Sequence, residues 1–212
     1  MRQQNEERSS FIMCMNVINS ITHWVLGAVA MAAITLAAIF PGSSHFIQHV
    51  YLCTIGYVVL MAQAILTFNP NNGWSRSMRY QDKRVIHRVM QIAGSLLAIT
   101  GSIIRMVNLT NNFQSPHGIL GLIAMLLTAI SLVGGIIGLY TKTTAIKLLH
   151  ACAGSLTLIS AFICLCLGFD KSVFRGLFND TVADLAITLT VIGLIGTLWS
   201  AANSNLNRVL KR

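Results

Sequence analysis

Long apolar runs separated by short polar breaks make up nearly the whole chain. Six of them fall near 17–40, 47–68, 85–107, 117–140, 146–168 and 182–202, each close to the ~20 residues that cross a ~30 Å hydrocarbon core as a helix. None alternates polar and apolar positions with the period of two that a membrane barrel strand requires. The breaks carry turn chemistry. Pro41-Gly42-Ser43-Ser44 follows the first run, Asn69-Pro70-Asn71-Asn72-Gly73 follows the second, and a polar stretch leads to Pro116 at the mouth of the fourth, a position where proline suits a helix start. The pattern predicts an all-α, polytopic membrane protein with six transmembrane helices. It reads as one domain over 1–212, with 1–16 and a basic tail at 203–212 flanking the helices.

Composition supports that reading. The chain is 54% hydrophobic and only 10% charged, against about a quarter charged in soluble domains. MRQQNEERSS precedes a first run as long as the others with no small-residue cleavage site, so the first helix is expected to stay as a signal anchor. Of the 15 basic residues, 12 fall on one side if the N-terminus is cytosolic, leaving only Arg105, Lys171 and Arg175 outside. That is the positive-inside distribution. The net charge of +9 is therefore a topology signal, and its scatter over short loops argues against a nucleic-acid partner. The sequons Asn108-Leu109-Thr110 and Asn179-Asp180-Thr181 both fall in expected outer loops. Five cysteines, mostly inside helices, form no disulfide framework.

The chemistry lies in the histidines. Ionisable side chains inside membrane helices are costly and usually functional. His49, His87, His117 and His150 each open one of helices 2 to 5. Successive helices run in opposite directions, so His49 and His117 share an outer level while His87 and His150 share an inner one. Gly121 and Gly154 follow at +4, and Gly56 and Gly94 at +7, positions on the same helix face as the histidine. The expectation is a flat wall beside each imidazole, as a porphyrin needs and a bare ion does not. Two imidazoles on opposite faces of a haem favour electron transfer. Zinc wants three or four ligands at one level, and each level here has two. His23 is expected to pack at the inner level, and His45 is a candidate contact for an outer substrate. A rival reading takes the same histidines as metal or proton handlers in a non-haem transporter or scaffold, but the paired helix breaks of such sites are missing.

Several motifs together resemble the cytochrome b561 family, and within it the short members. They are Pro41-Gly42-Ser43-Ser44 ahead of His49, the basic run Arg76, Arg79, Lys83, Arg84 leading into His87, His117-Gly118 opening helix 4, and Lys147-Leu148-Leu149-His150-Ala151 opening helix 5. The resemblance spans nearly the whole chain. It implies a four-helix core of helices 2–5 holding two haem b groups, with helices 1 and 6 flanking it. The outer iron would be bound by His49 and His117, the inner by His87 and His150. It further implies cytosolic ascorbate as electron donor, near Lys83, Arg84 and Lys147, and monodehydroascorbate radical or ferric iron as acceptor on the far side. An endoplasmic reticulum or vesicle membrane, lipid contact and a capacity to form a homodimer belong to the same expectation. Two positions depart from the family pattern. Gln114-Ser115-Pro116-His117-Gly118 stands where ascorbate-vesicle members carry an SLHSW-type motif, and Val50 stands where relatives often have proline.

Overall fold

A computed structural model describes residues 2–141 and 143–210 and the side chains of 9–141 and 143–203. The basic residues Arg2, Arg8, Lys142, Arg208, Lys211 and Arg212, on which part of the expected topology rests, lie outside the described side chains. Helices account for the architecture: α1 (Arg2–Ile39), α2 (Ser44–Cys53), a π-helical segment (Thr54–Met61), α3 (Ala62–Leu66), α4 (Tyr80–Val107), α5 (Pro116–Tyr140), α6 (Thr144–Phe169), α7 (Ser172–Phe178) and α8 (Asp180–Leu210). Among the described residues six stretches are long and apolar enough to cross a membrane, and α2, the π segment and α3 together form the second, Ser44–Leu66. The six expected spans are therefore present, and the second contains a wide turn that the apolar pattern did not announce.

The spans pack in a definite order. The α2–α3 rod lies against α4, and α5 lies against α6, making two antiparallel pairs; α1 and α8 pack on each other, α1 also against the rod and α8 also against α6. The main buried cluster follows from that. Leu26 and Val29 of α1, Val58 and Leu66 of the rod, and Leu158 and Phe162 of α6 meet in one apolar core. Gly56 and Gly94 explain how the rod and α4 come so close. A Cβ on Gly56 would lie 2.7 Å from the Gly94 carbonyl oxygen, and one on Gly94 would lie 2.9 Å from that of Gly56. These two glycines bring backbones together and are not a wall beside the histidines, contrary to the expectation from their spacing.

Both ends of the bundle are closed by polar contacts. The 67–79 loop folds under the helices, where Asn69 Nδ2 donates to Asn19 Oδ1 (3.2 Å) and Ser200 Oγ (2.8 Å), and Ser75 Oγ donates to the Thr67 carbonyl. His23 Nε2 donates to Asn72 Oδ1 at 3.1 Å, which makes His23 a packing residue of this network. At the other end Arg175 of α7 bonds Asp170, Asp180 and Asp184 at 2.8–2.9 Å. Those bonds, to Asp170 first and then Asp184 and Asp180, hold the guanidinium above its ordinary pKa. Among the described residues no buried side-chain nitrogen or oxygen lacks a hydrogen-bond partner, as a low-dielectric interior demands.

Candidate functional site

Each of the four helix-opening histidines is held by a backbone carbonyl of its neighbour within the same antiparallel pair. His49 Nδ1 lies 3.0 Å from the Gly101 oxygen and His87 Nδ1 2.9 Å from that of Ala64. His117 Nδ1 lies 2.9 Å from the Cys164 oxygen and His150 Nδ1 3.0 Å from that of Ser131. A carbonyl only accepts, so Nδ1 carries the proton in every case. The tautomer is thereby fixed, and Nε2 keeps its lone pair for a metal.

The rings then meet across the pairs. His49 faces His117 with ring centroids 6.3 Å apart and planes at 87°. His87 faces His150 at 6.4 Å and 89°. An imidazole nitrogen bonds a first-row metal at ~2.0–2.1 Å and sits about 1.1 Å from its own ring centre, so two trans imidazoles on one metal have centroids about 6.3 Å apart. Both observed gaps match that length. The donor set and spacing fit a six-coordinate haem iron bound by two histidines, and the pairing is the one the level argument anticipated.

Helix geometry sets the distance between the levels. Fourteen residues separate His87 from Gly101, His117 from Ser131 and His150 from Cys164, each running from one level to the other. At ~1.5 Å of rise per residue, fourteen residues span about 21 Å. The carbonyls belong to Gly101, Ser131, Cys164 and Ala64, all small residues that let a ring approach the backbone. This spacing of small residues is a sequence signal that the apolar pattern obscured.

Different glycines from those expected contact the rings. A Cβ on Gly135 would lie 3.0 Å from His150 Cε1, and one on Gly168 would lie 3.3 Å from His117 Cε1. Gly135 is four residues past Ser131 and Gly168 four past Cys164, so each occupies the turn after the carbonyl that holds the ring. Gly121 and Gly154 meet only Cys164 Sγ and Ser131 Oγ, both 3.5 Å from the added Cβ, and they line the cavities beside His49–His117 and His87–His150 respectively, as their +4 spacing anticipated. In the other helix pair the equivalent of Gly135 is Phe68, whose ring lies 5.0 Å from that of His87 and is tilted 51° to it.

Cavities accompany both pairs. One of about 470 Å³ is lined by His49 and His117 together with Cys53, Arg105, Cys164 and Lys171. The other, about 140 Å³, is lined by His87, His150, Phe68, Gln91, Ser131 and Gly154. The larger falls in the ~300–1,000 Å³ range of small-molecule and cofactor sites. Lys83, Arg84 and Lys147 line neither of these two cavities. Arg84 and Lys147 are exposed near the His87–His150 end, whereas Lys83 is 7% exposed. His45 is exposed at the opposite end. Among the described residues no three His, Cys, Asp or Glu side chains converge as a metal cluster.

Comparison with known proteins bears on the same region. The family described as eukaryotic cytochrome b561 matches residues 48–175, a stretch that contains all four histidines. Three curated proteins named "Transmembrane reductase CYB561D2" are similar to the chain over 178 residues, covering 79% of it and 80% of the relative. The Mus musculus protein is 29% identical, the Bos taurus protein 28% and the Homo sapiens protein 26%.

Proposed function

The chain belongs to the eukaryotic cytochrome b561 family, and from that premise we propose that it passes electrons through two b-type haems from cytosolic ascorbate to an acceptor across the membrane. That it is an integral, multi-pass oxidoreductase of transmembrane electron transfer follows from the family, the transmembrane reductases it resembles and its six apolar helices. The two haems, their ligands, the donor and the acceptor are the finer part of the proposal. Its main support is the pair of matched histidine gaps, 6.3 and 6.4 Å, with every Nδ1 held by a carbonyl.

Held by His49 and His117 at one level and by His87 and His150 at the other, haem would supply one-electron transfer, and ligation by two histidines would disfavour oxygen chemistry. The protein's own contribution is orientation. The carbonyls of Gly101 and Cys164 hold the rings of His49 and His117, and those of Ala64 and Ser131 hold His87 and His150, so each pair keeps its separation and its near-perpendicular ring planes through backbone contacts. Preorganisation of this kind lowers the cost of binding.

The donor is assigned to the His87–His150 end, which the positive-inside pattern puts in the cytosol. Ascorbate is an anion at neutral pH, and exposed Arg84 and Lys147 would raise its local concentration there. Lys83 belongs to the same basic run, but its burial leaves capture mainly to the other two. The acceptor, monodehydroascorbate radical or ferric iron, is assigned to the His49–His117 end. The whole of 1–212 is taken as one membrane domain in an endoplasmic reticulum or vesicle membrane.

Absorbance spectroscopy of the purified protein after haem-replete expression tests this reading. A Soret band whose visible bands sharpen on adding ascorbate is expected. His87→Ala and His150→Ala should each remove the same component, and His49→Ala and His117→Ala the other. Protein without a Soret band overturns the haem reading, and a defect shared by His87→Ala and His117→Ala overturns the pairing.

A further inference from the structure

The α2–α3 rod carries one residue more between levels than its three counterparts. Fifteen residues separate His49 from Ala64, where the other three helices use fourteen. The extra residue is taken up by the π-helical segment Thr54–Met61. Such wide turns are rare and concentrate at functional sites. Its effect is on side-chain direction: Gly56, Tyr57 and Val58, three consecutive residues, are all buried. Gly56 turns to α4, where its backbone meets Gly94, and Val58 turns to the core shared with α1 and α6. Tyr57 enters the space at the centre of the four-helix core.

That space is built for one ring. Tyr57 and Met61 pack with Ala98 of α4, Ala124 of α5 and Ala161 of α6, one alanine from each facing helix. The Tyr57 hydroxyl lies 2.9 Å from Thr128 Oγ1, and Thr128 Oγ1 in turn donates to the Ala124 carbonyl at 2.7 Å. The Thr128 proton is therefore committed, and Tyr57 must be the donor. Tyr57 is 8% and Thr128 0% exposed, so a hydroxyl left alone there would be costly.

The carbonyl bonds that hold the histidines all run within a helix pair, whereas each ring-to-ring gap runs between pairs. Something has to fix one pair against the other. We propose that the π turn seats Tyr57 at the middle of the core, and that the Tyr57–Thr128 hydrogen bond clasps the two helix pairs in the alignment both histidine gaps require. Tyr57 and Thr128 are thus positioning residues that act on both levels at once. The inference rests on the di-haem reading for its spectroscopic consequence, and on contacts between helices for its structural one.

The test uses the full-length purified protein with Tyr57→Phe, Thr128→Val and the double variant. The low-spin ferric EPR signal of a bis-imidazole haem depends on the angle between the ring planes, here 87° and 89°. Each single variant should shift the signals of both levels with haem content unchanged, and the double variant should shift them no further. Thermal unfolding of the same four proteins should show a non-additive cycle, as contacting residues do. Signals that stay put, or a shift confined to one level, overturn the clasp even if stability falls. Should the parent bind no haem, the di-haem proposal is lost, and the cycle alone decides: additive losses then overturn the clasp.

Discussion

Gly56→Ala tests the role of the glycines seven residues past His49 and His87 as a close approach between helices. The new methyl would lie 2.7 Å from the Gly94 carbonyl oxygen, 2.9 Å from the Ala98 nitrogen and 3.0 Å from the Ala98 Cβ. Two of these atoms are backbone and none ends a flexible side chain, so the rod and α4 must move apart. Overpacking of this kind costs ~1–3 kcal/mol, while replacing a mid-helix glycine by alanine returns about 0.5–1 kcal/mol. The control is Gly27→Ala in α1, where an added Cβ meets nothing within 4 Å and only the favourable effect remains. The difference between the two variants isolates the clash. For a chain of this size, ~1–3 kcal/mol corresponds to a gap in melting temperature of about 2–12 °C. Thermal unfolding in detergent measures it. The separation should also disturb His49 and His87 together, because their carbonyl partners Gly101 and Ala64 lie across the same interface. Equal melting temperatures for Gly56→Ala and Gly27→Ala would refute the close-approach reading and return Gly56 to the role its spacing first implied.

Other expectations follow from named contacts. Gly135→Ala pushes on His150 and Gly168→Ala on His117, so each should alter the absorption of one level and leave the other as in the parent. The ascorbate proposal expects Arg84→Glu and Lys147→Glu to raise the apparent KM for ascorbate, most at low salt, with kcat little changed; a change in kcat alone would count against it. Arg175→Lys should not restore the stability lost in Arg175→Ala, since a lysine cannot fork between Asp170, Asp180 and Asp184. Full recovery by lysine, measured by thermal unfolding, would show that charge alone suffices.

Much of the architecture follows from local physics and was therefore legible in the chain. Apolar runs of membrane length specify six helices, and short polar breaks force neighbours to be antiparallel. Four histidines at the starts of four consecutive helices then have to fall into two levels, whatever the packing. Pairing His49 with His117 and His87 with His150 needed nothing more, and the two ring gaps agree with it.

Helix faces and partners were decided only by the tertiary structure. Spacing put Gly56 and Gly94 beside histidines, but the rotation of the rod against α4 turned them into a backbone crossing, while Gly135 and Gly168 came to the rings from neighbouring helices. Lys83 sits in a run of exposed cations yet is buried, a difference in environment that the run itself does not encode. The carbonyls that hold each Nδ1 carry no side-chain identity, so nothing marked them except the small residues to which they belong. The extra residue between His49 and Ala64 was countable from the start. What it does, turning Tyr57 toward Thr128 of the opposite pair, depends on how far apart two helix pairs stand, and that distance exists only in the folded bundle.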